Sequence, residues 1–206
     1  MKYSELHKKL KKAGCYLTGK EVAGHPQWYS PITGIKFPTS HHNSEEVARG
    51  TLKNILTQAG ITLQYSATID YKTMNKIKAH IECNKAGWYS VYIDGIQLPF
   101  GVLGEGNTAE EAKQDFLAVY QAMRQDHYEA TGQNVEVEFE FVLDASAFLQ
   151  QYKGIISITG LSHITGINKV QLSQYVCGRR HPSAKTQEKI KQSVISFADR
   201  LKAAFI

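Results

Sequence analysis

Cysteine is scarce in this sequence: Cys15, Cys83 and Cys177 are the only three in 206 residues, far apart and with no CxxC pair. That excludes a cysteine-built metal or redox motif and leaves the three as small core residues or bystanders. Long apolar runs are missing too, since none approaches the roughly 18 residues of a membrane span. The opening residues, with Lys2, Lys8, Lys9, Lys11 and Lys12 among polar neighbours, lack the apolar core of a signal peptide. The expected setting is the cytoplasm, with no membrane partner.

Acidic residues are sparse in the first and last parts of the chain and concentrated between them. Residues 1–60 hold nine Lys/Arg against four Asp/Glu, residues 61–144 six against thirteen, and residues 145–206 nine against two. Two basic segments suit polyanions, and an acidic block between them suits a partner that competes for a basic surface. The same pattern also describes three ordinary solvated surfaces.

Hydrophobic periodicity divides the chain in the same way. Tyr3, Leu6, Leu10 and Ala13 fall at helical spacing before Gly14. Short alternating runs at 15–17, 27–30 and 35–38 predict a small antiparallel sheet, and Ser44 with Glu45 and Glu46 predicts a second helix closed by Gly60. Further on, strands are predicted at 76–82, 88–93 and 98–102. A turn at Gly104, Gly106 and Asn107 follows, then a helix capped by Thr108 and a strand at 135–142. The last 60 residues show helical spacings only. The predicted class is α+β, with domains at 1–61, 74–143 and 144–206 and a linker at 62–73.

In the first segment, Gly24-His25-Pro26-Gln27-Trp28-Tyr29 puts a histidine at a turn entering a strand, inside a basic domain. An imidazole near neutral pKa can take the proton of an RNA 2′-hydroxyl or protonate the leaving oxygen, while lysines stabilise the charged phosphorane. Such cleavage needs no metal and no cofactor. A hydrogen-bonded surface histidine fits the same spacing. His41 and His42, ahead of the second helix, are candidates for RNA phosphate at its N-terminus, and Lys20, Lys36 and Arg49 for backbone contacts; all five are equally readable as solvated groups.

Residues 1–61 resemble the HicA family of bacterial toxins. The resemblance is carried by the opening helix at Ser4-Glu5-Leu6, by Ala23-Gly24-His25-Pro26-Gln27-Trp28, and most specifically by the run from Gly50 through Thr51, Leu52 and Lys53 to Gly60-Ile61. It implies a fold like that of double-stranded-RNA-binding domains, in the order α-β-β-β-α. It also implies a metal-independent endoribonuclease, an mRNA interferase, whose catalytic histidine is His25. The family usually has Gly-Ser before that histidine, where this chain has Ala23-Gly24.

Residues 74–143 resemble the HicB antitoxin core, a partial ribonuclease-H-like β-β-β-α-β unit, most tellingly at Gly104-Glu105-Gly106-Asn107-Thr108-Ala109-Glu110-Glu111-Ala112. This implies toxin neutralisation. Ribonuclease-H chemistry needs converging carboxylates, and Glu82, Asp94 and Asp144 have no such spacing. Trp88, Tyr89 and Tyr92 are readable as interface anchors or as core.

The C-terminal segment looks like a repressor-type helix-turn-helix. Gly166 allows the turn, Ile164, Ile167 and Leu172 lock the helices, and Asn168 caps the second. Asn168, Lys169, Val170, Gln171 and Gln174 are the candidates for DNA contact along that helix, with Arg179, Arg180 and Lys185 at phosphates. Together the resemblances imply a bacterial toxin–antitoxin module in one chain, with residues 74–206 as a HicB-type antitoxin. Its ribonuclease would be inhibited in the full chain by toxin–antitoxin contact within or between chains. Its mRNA target, its own operator DNA, and a second copy in a homodimer or higher oligomer are the expected partners. The alternative is a transcriptional regulator whose first domain is catalytically inactive.

Overall fold

The computed structural model describes residues 1–62, 76–177, 179–180 and 182–204. Residues 63–73 of the expected linker, Met74, and Gly178 and His181 of the helix-turn-helix motif lie outside the described residues. Among those described there are seven helices and two sheets, a mixed α+β chain. They divide into two compact units, 1–142 and 143–206.

The first unit opens with α1 (Tyr3–Lys12), β1 (Tyr16–Val22), β2 (His25–Tyr29), β3 (Lys36–Pro38) and α2 (Arg49–Gln58). Tyr3, Leu6 and Leu10 recur on one face of α1 and meet Trp28, Phe37 and Ile55 in one buried core. Each such side chain contributes on the order of 1.5–3 kcal/mol through its burial. The strands form an antiparallel sheet in the order β1-β2-β3. β1 and β2 run longer than their predicted spans because a two-residue loop, Ala23-Gly24, joins them directly. Both loop residues have positive φ, 50° and 83°, as the tight hairpin turn with the right twist demands.

The second helix does not open at Ser44. Residues 43–48 form a turn whose backbone pairs with the start of α1, through Tyr3 N–H to Glu45 O and Ser4 N–H to Asn43 O, both 3.1 Å. α2 begins only at Arg49, after Ala48, which caps it with no side chain.

The unit continues with β4 (Lys76–Cys83), β5 (Tyr89–Ile93), β6 (Leu103–Gly106), α3 (Ala109–Thr131) and β7 (Glu138–Leu143), and these strands form a second sheet in the order β6-β5-β4-β7. The strand predicted at 98–102 forms instead at 103–106, taking in the glycines expected to make a turn. They are there because the sheet lies against α3: a Cβ on Gly104 would overlap the Ala112 carbonyl and Phe116, and one on Gly106 would meet Glu111 and Ala112. Thr108 caps α3 by accepting from Glu111 N–H at 3.1 Å, and Gly132, at φ 69°, ends it.

The second unit holds α4 (Ala145–Tyr152), α5 (Ile158–Thr165), α6 (Lys169–Val176) and α7 (Ala184–Ala204). Leu149, Leu161, Ile167, Leu172, Tyr175 and Ile190 are its core, while Ile164 is half-buried. Gly166, at φ 64°, closes α5 by donating its N–H to Ser162 O at 2.9 Å. Asn168 starts α6 two residues later by accepting from Val170 N–H at 2.8 Å.

Candidate active site

Strand geometry places His25, Gln27 and Tyr29 on one face of the first sheet and Pro26 and Trp28 on the other. Trp28 pairs with Phe37 and turns to the core, whereas Tyr29 lies opposite Tyr16 on β1 and Lys36 on β3. Thr18 hydrogen-bonds the Gln27 side chain at 2.8 Å, and Lys20 reaches the same acidic partner as Lys36. One sheet face thus carries His25, Lys20 and Lys36 from the sequence expectation, together with Gln27.

α3 lies over that face. Asp115 and Asp126 are eleven residues apart, close to three full turns, so both carboxylates point the same way about 16 Å apart along the helix. Asp115 Oδ2 sits 2.8 Å from His25 Nε2 and also accepts the Glu105 backbone N–H at 2.8 Å. Asp126, with 8 % of its side chain exposed, binds Lys20 Nζ at 2.5 Å and Lys36 Nζ at 2.6 Å. Gln27 is fully buried between these ends, its amide nitrogen 3.4 Å from Met123 Sδ.

His25 is 8 % exposed. Its Nδ1 lies 3.2 Å from the Thr39 carbonyl, a pure acceptor, so Nδ1 carries a proton and Nε2 is the nitrogen presented to Asp115. Burial pulls the imidazole pKa down, but the hydrogen bond and charge of Asp115, helped by Glu105, outweigh it and raise the pKa above its ordinary value. The Asp126 carboxyl is pushed up by burial and pulled down further by Lys20 and Lys36, for a net lowering.

A third carboxylate reaches the first segment from β4. Glu82 accepts Gly50 N–H at 2.8 Å, Thr51 N–H at 2.6 Å and the Thr51 hydroxyl at 2.7 Å. This is the cap α2 lacks locally, and it occupies the helix N-terminus expected to take phosphate. His41 Nε2 faces Glu21 at 3.2 Å, and the His42 ring meets Trp88 edge-on at 5.0 Å. Arg49 is exposed at the first turn of α2. Of the three middle aromatics, Tyr89 is buried, while Tyr92 closes on Gly50, where a Cβ would overlap its phenol ring.

Followed by Lys8 and Lys9, His7 carries no motif of its own in the sequence. Its Nε2 is 3.0 Å from the Thr39 hydroxyl, and burial lowers its pKa. With Lys20, Pro26, Trp28 and His41 it lines an open cleft of about 320 Å³.

His7, Lys20, His25 and Lys36 lie in a segment that a family model matches. Residues 3–61 match the family model of the HicA toxin of bacterial toxin-antitoxin systems. HicA is a family of toxin endoribonucleases. The HicA match ends at residue 61, before the acidic segment that supplies Asp115, Asp126 and Glu82. Comparison with curated proteins and with solved structures gave no match.

Among the described residues no group of three His, Cys, Asp or Glu side chains gathers as a metal site. Asp94 pairs with Lys53 at 3.2 Å, and Asp144 caps α4. No helix among them is long and apolar enough to cross a membrane. In the second unit Lys169, Val170, Gln171, Arg179, Arg180 and Lys185 are exposed and Gln174 half-exposed. Val170 is an apolar side chain left 67 % exposed beside Lys169 and Gln171 at the start of α6.

Proposed function

We propose that this chain is a toxin–antitoxin module in one polypeptide: a histidine-dependent endoribonuclease at 1–61, held shut by a HicB-type segment at 74–143 and joined to a DNA-binding unit at 144–206. The observation that carries the reading is the contact of His25 Nε2 with Asp115 Oδ2, at 2.8 Å.

In the open enzyme, Nε2 faces the place now held by the carboxylate. An RNA 2′-oxygen attacks its own 3′-phosphorus there, and the 5′-oxygen of the next nucleotide leaves, giving a 2′,3′-cyclic phosphate. His25 takes the proton of the 2′-hydroxyl while water protonates the leaving 5′-oxygen, or protonates the 5′-oxygen while water takes the 2′-hydroxyl proton. Lys20 and Lys36 hold the phosphate charge. In the closed chain Asp115 occupies the reacting position and favours the protonated imidazole, which opposes its use as a base, while Asp126 pairs with both lysines. Arg49, His41 and His42 contact more distant phosphates.

The exposed start of α6 supports a DNA-reading role for Lys169, Val170, Gln171 and Gln174, with Asn168, Arg179, Arg180 and Lys185 at the backbone, in a homodimer on the module's own operator.

The deciding test is RNA cleavage by the full chain, by the Asp115→Ala/Asp126→Ala chain, and by that chain with His25→Ala added. Cleavage by the second alone establishes the reading. An inert second chain that remains folded rejects the nuclease and leaves the regulator with an inactive first domain.

A further inference from the structure

The sheet face under α3 does not end where the helix ends. Period-two alternation carries it from His25 and Gln27 to Tyr29, and across the ladder to Tyr16. The two phenol rings are 5.4 Å apart at 51°. Tyr16 is 54 % exposed and Tyr29 half-buried, so α3, which buries His25 and Gln27, leaves this end open. Lys36, the cross-strand partner of Tyr29, stands beside the pair. Four residues along β2 put Tyr29 about 13 Å from His25.

Resting on the ribonuclease reading above, we infer that Tyr16 and Tyr29 form a stacking platform for an unpaired nucleobase of the RNA substrate, on the strand that continues past the phosphate at His25. The surface fits that occupant in two respects. An exposed aromatic pair offers a π-face to any base, and it is continuous with a row of cations whose charge is otherwise met by a carboxylate. A duplex keeps its bases stacked on one another and has none to offer, so the platform selects single-stranded RNA. Because it stays open while Asp115 covers His25, the strand docks here first and meets the closed active site second.

The test uses the full chain and a fluorescent hexaadenylate with 2′-O-methyl riboses, which binds but cannot be cleaved, beside the same strand in a duplex. Tyr16→Phe, which keeps the ring, binds the single strand like the parent, whereas Tyr16→Ser binds at least about tenfold more weakly. The duplex binds weakly and responds to neither change. Independently of any variant, the Tyr16 and Tyr29 ring protons of the parent chain shift upfield as the probe is added. Unchanged affinity in a folded Tyr16→Ser chain, unmoved ring protons, or equal binding of duplex and single strand overturns the platform. Cleavage by the Asp115→Ala/Asp126→Ala chain is scored separately: cleavage without a Tyr16 effect rejects the platform alone, and a Tyr16 effect without cleavage rejects the nuclease alone.

Discussion

Asp115 holds His25 and Glu105 at once, with one carboxylate oxygen 2.8 Å from the imidazole Nε2 and 2.8 Å from the Glu105 backbone nitrogen. Because the His25 pKa is raised in the folded chain, this contact contributes stability that is fully present below the unfolded value of about 6.5 and is lost as pH rises through the folded value. Thermal melts from pH 5 to 9 will show an alkaline loss in the parent chain that is absent in His25→Gln. In Asp115→Asn the imidazole titrates lower, with burial now unopposed by that charge, as a histidine-selective NMR titration will record.

Asp126 behaves with the opposite sign. Its carboxyl pKa is lowered, so its pairing with Lys20 and Lys36 is present above the unfolded carboxylate range and is lost as pH falls through the folded value. Asp126→Asn costs about 1–2 kcal/mol at neutral pH, the lower end of what a charge-assisted hydrogen bond is worth, because the Lys20 side chain is 59 % exposed and well screened. Urea unfolding at low and high salt will separate the parts: salt narrows the gap between parent and variant.

Removing Glu82 leaves two α2 N–H groups without their cap. Glu82→Ala costs about 1–3 kcal/mol, and the loss appears as faster hydrogen exchange at Gly50 and Thr51. Gly50→Ala drives a methyl group into Tyr92 and destabilises the first unit by a similar amount. Adding Tyr92→Ala to Gly50→Ala recovers part of that loss, a coupling that a double-mutant cycle measures directly.

Ala23 holds φ 50°, a conformation L-residues adopt at a cost of about 1–2 kcal/mol. Ala23→Gly relieves it and raises the melting temperature by a few degrees, while leaving His25 in place at the start of β2. An unchanged or lower melting temperature contradicts this account of the hairpin.

Much of the frame was legible in the residues themselves. The spacing of Leu6 and Leu10, the Thr108 cap on α3, and the Gly166 and Asn168 pair between α5 and α6 act through neighbours a turn or two away, where local chemistry decides the backbone. That His25 opens a strand was legible in the turn residues before it. The start of α2 was not: Ser44 looks like a cap, but the cap comes from Glu82, 31 residues from Thr51. Nor was β6, whose glycines resemble a turn until a helix is laid against them.

The sequence alone determined which segments are basic or acidic, the order of helices and strands, and which histidine enters a strand, because propensity, period and charge are local. Only the tertiary structure decided that Asp115, Asp126 and Glu82 meet His25, the two lysines and the α2 N-terminus. On a helix surface Asp115 and Asp126 are indistinguishable in sequence from solvated charges, and what makes them partners is the packing of α3 across the first sheet.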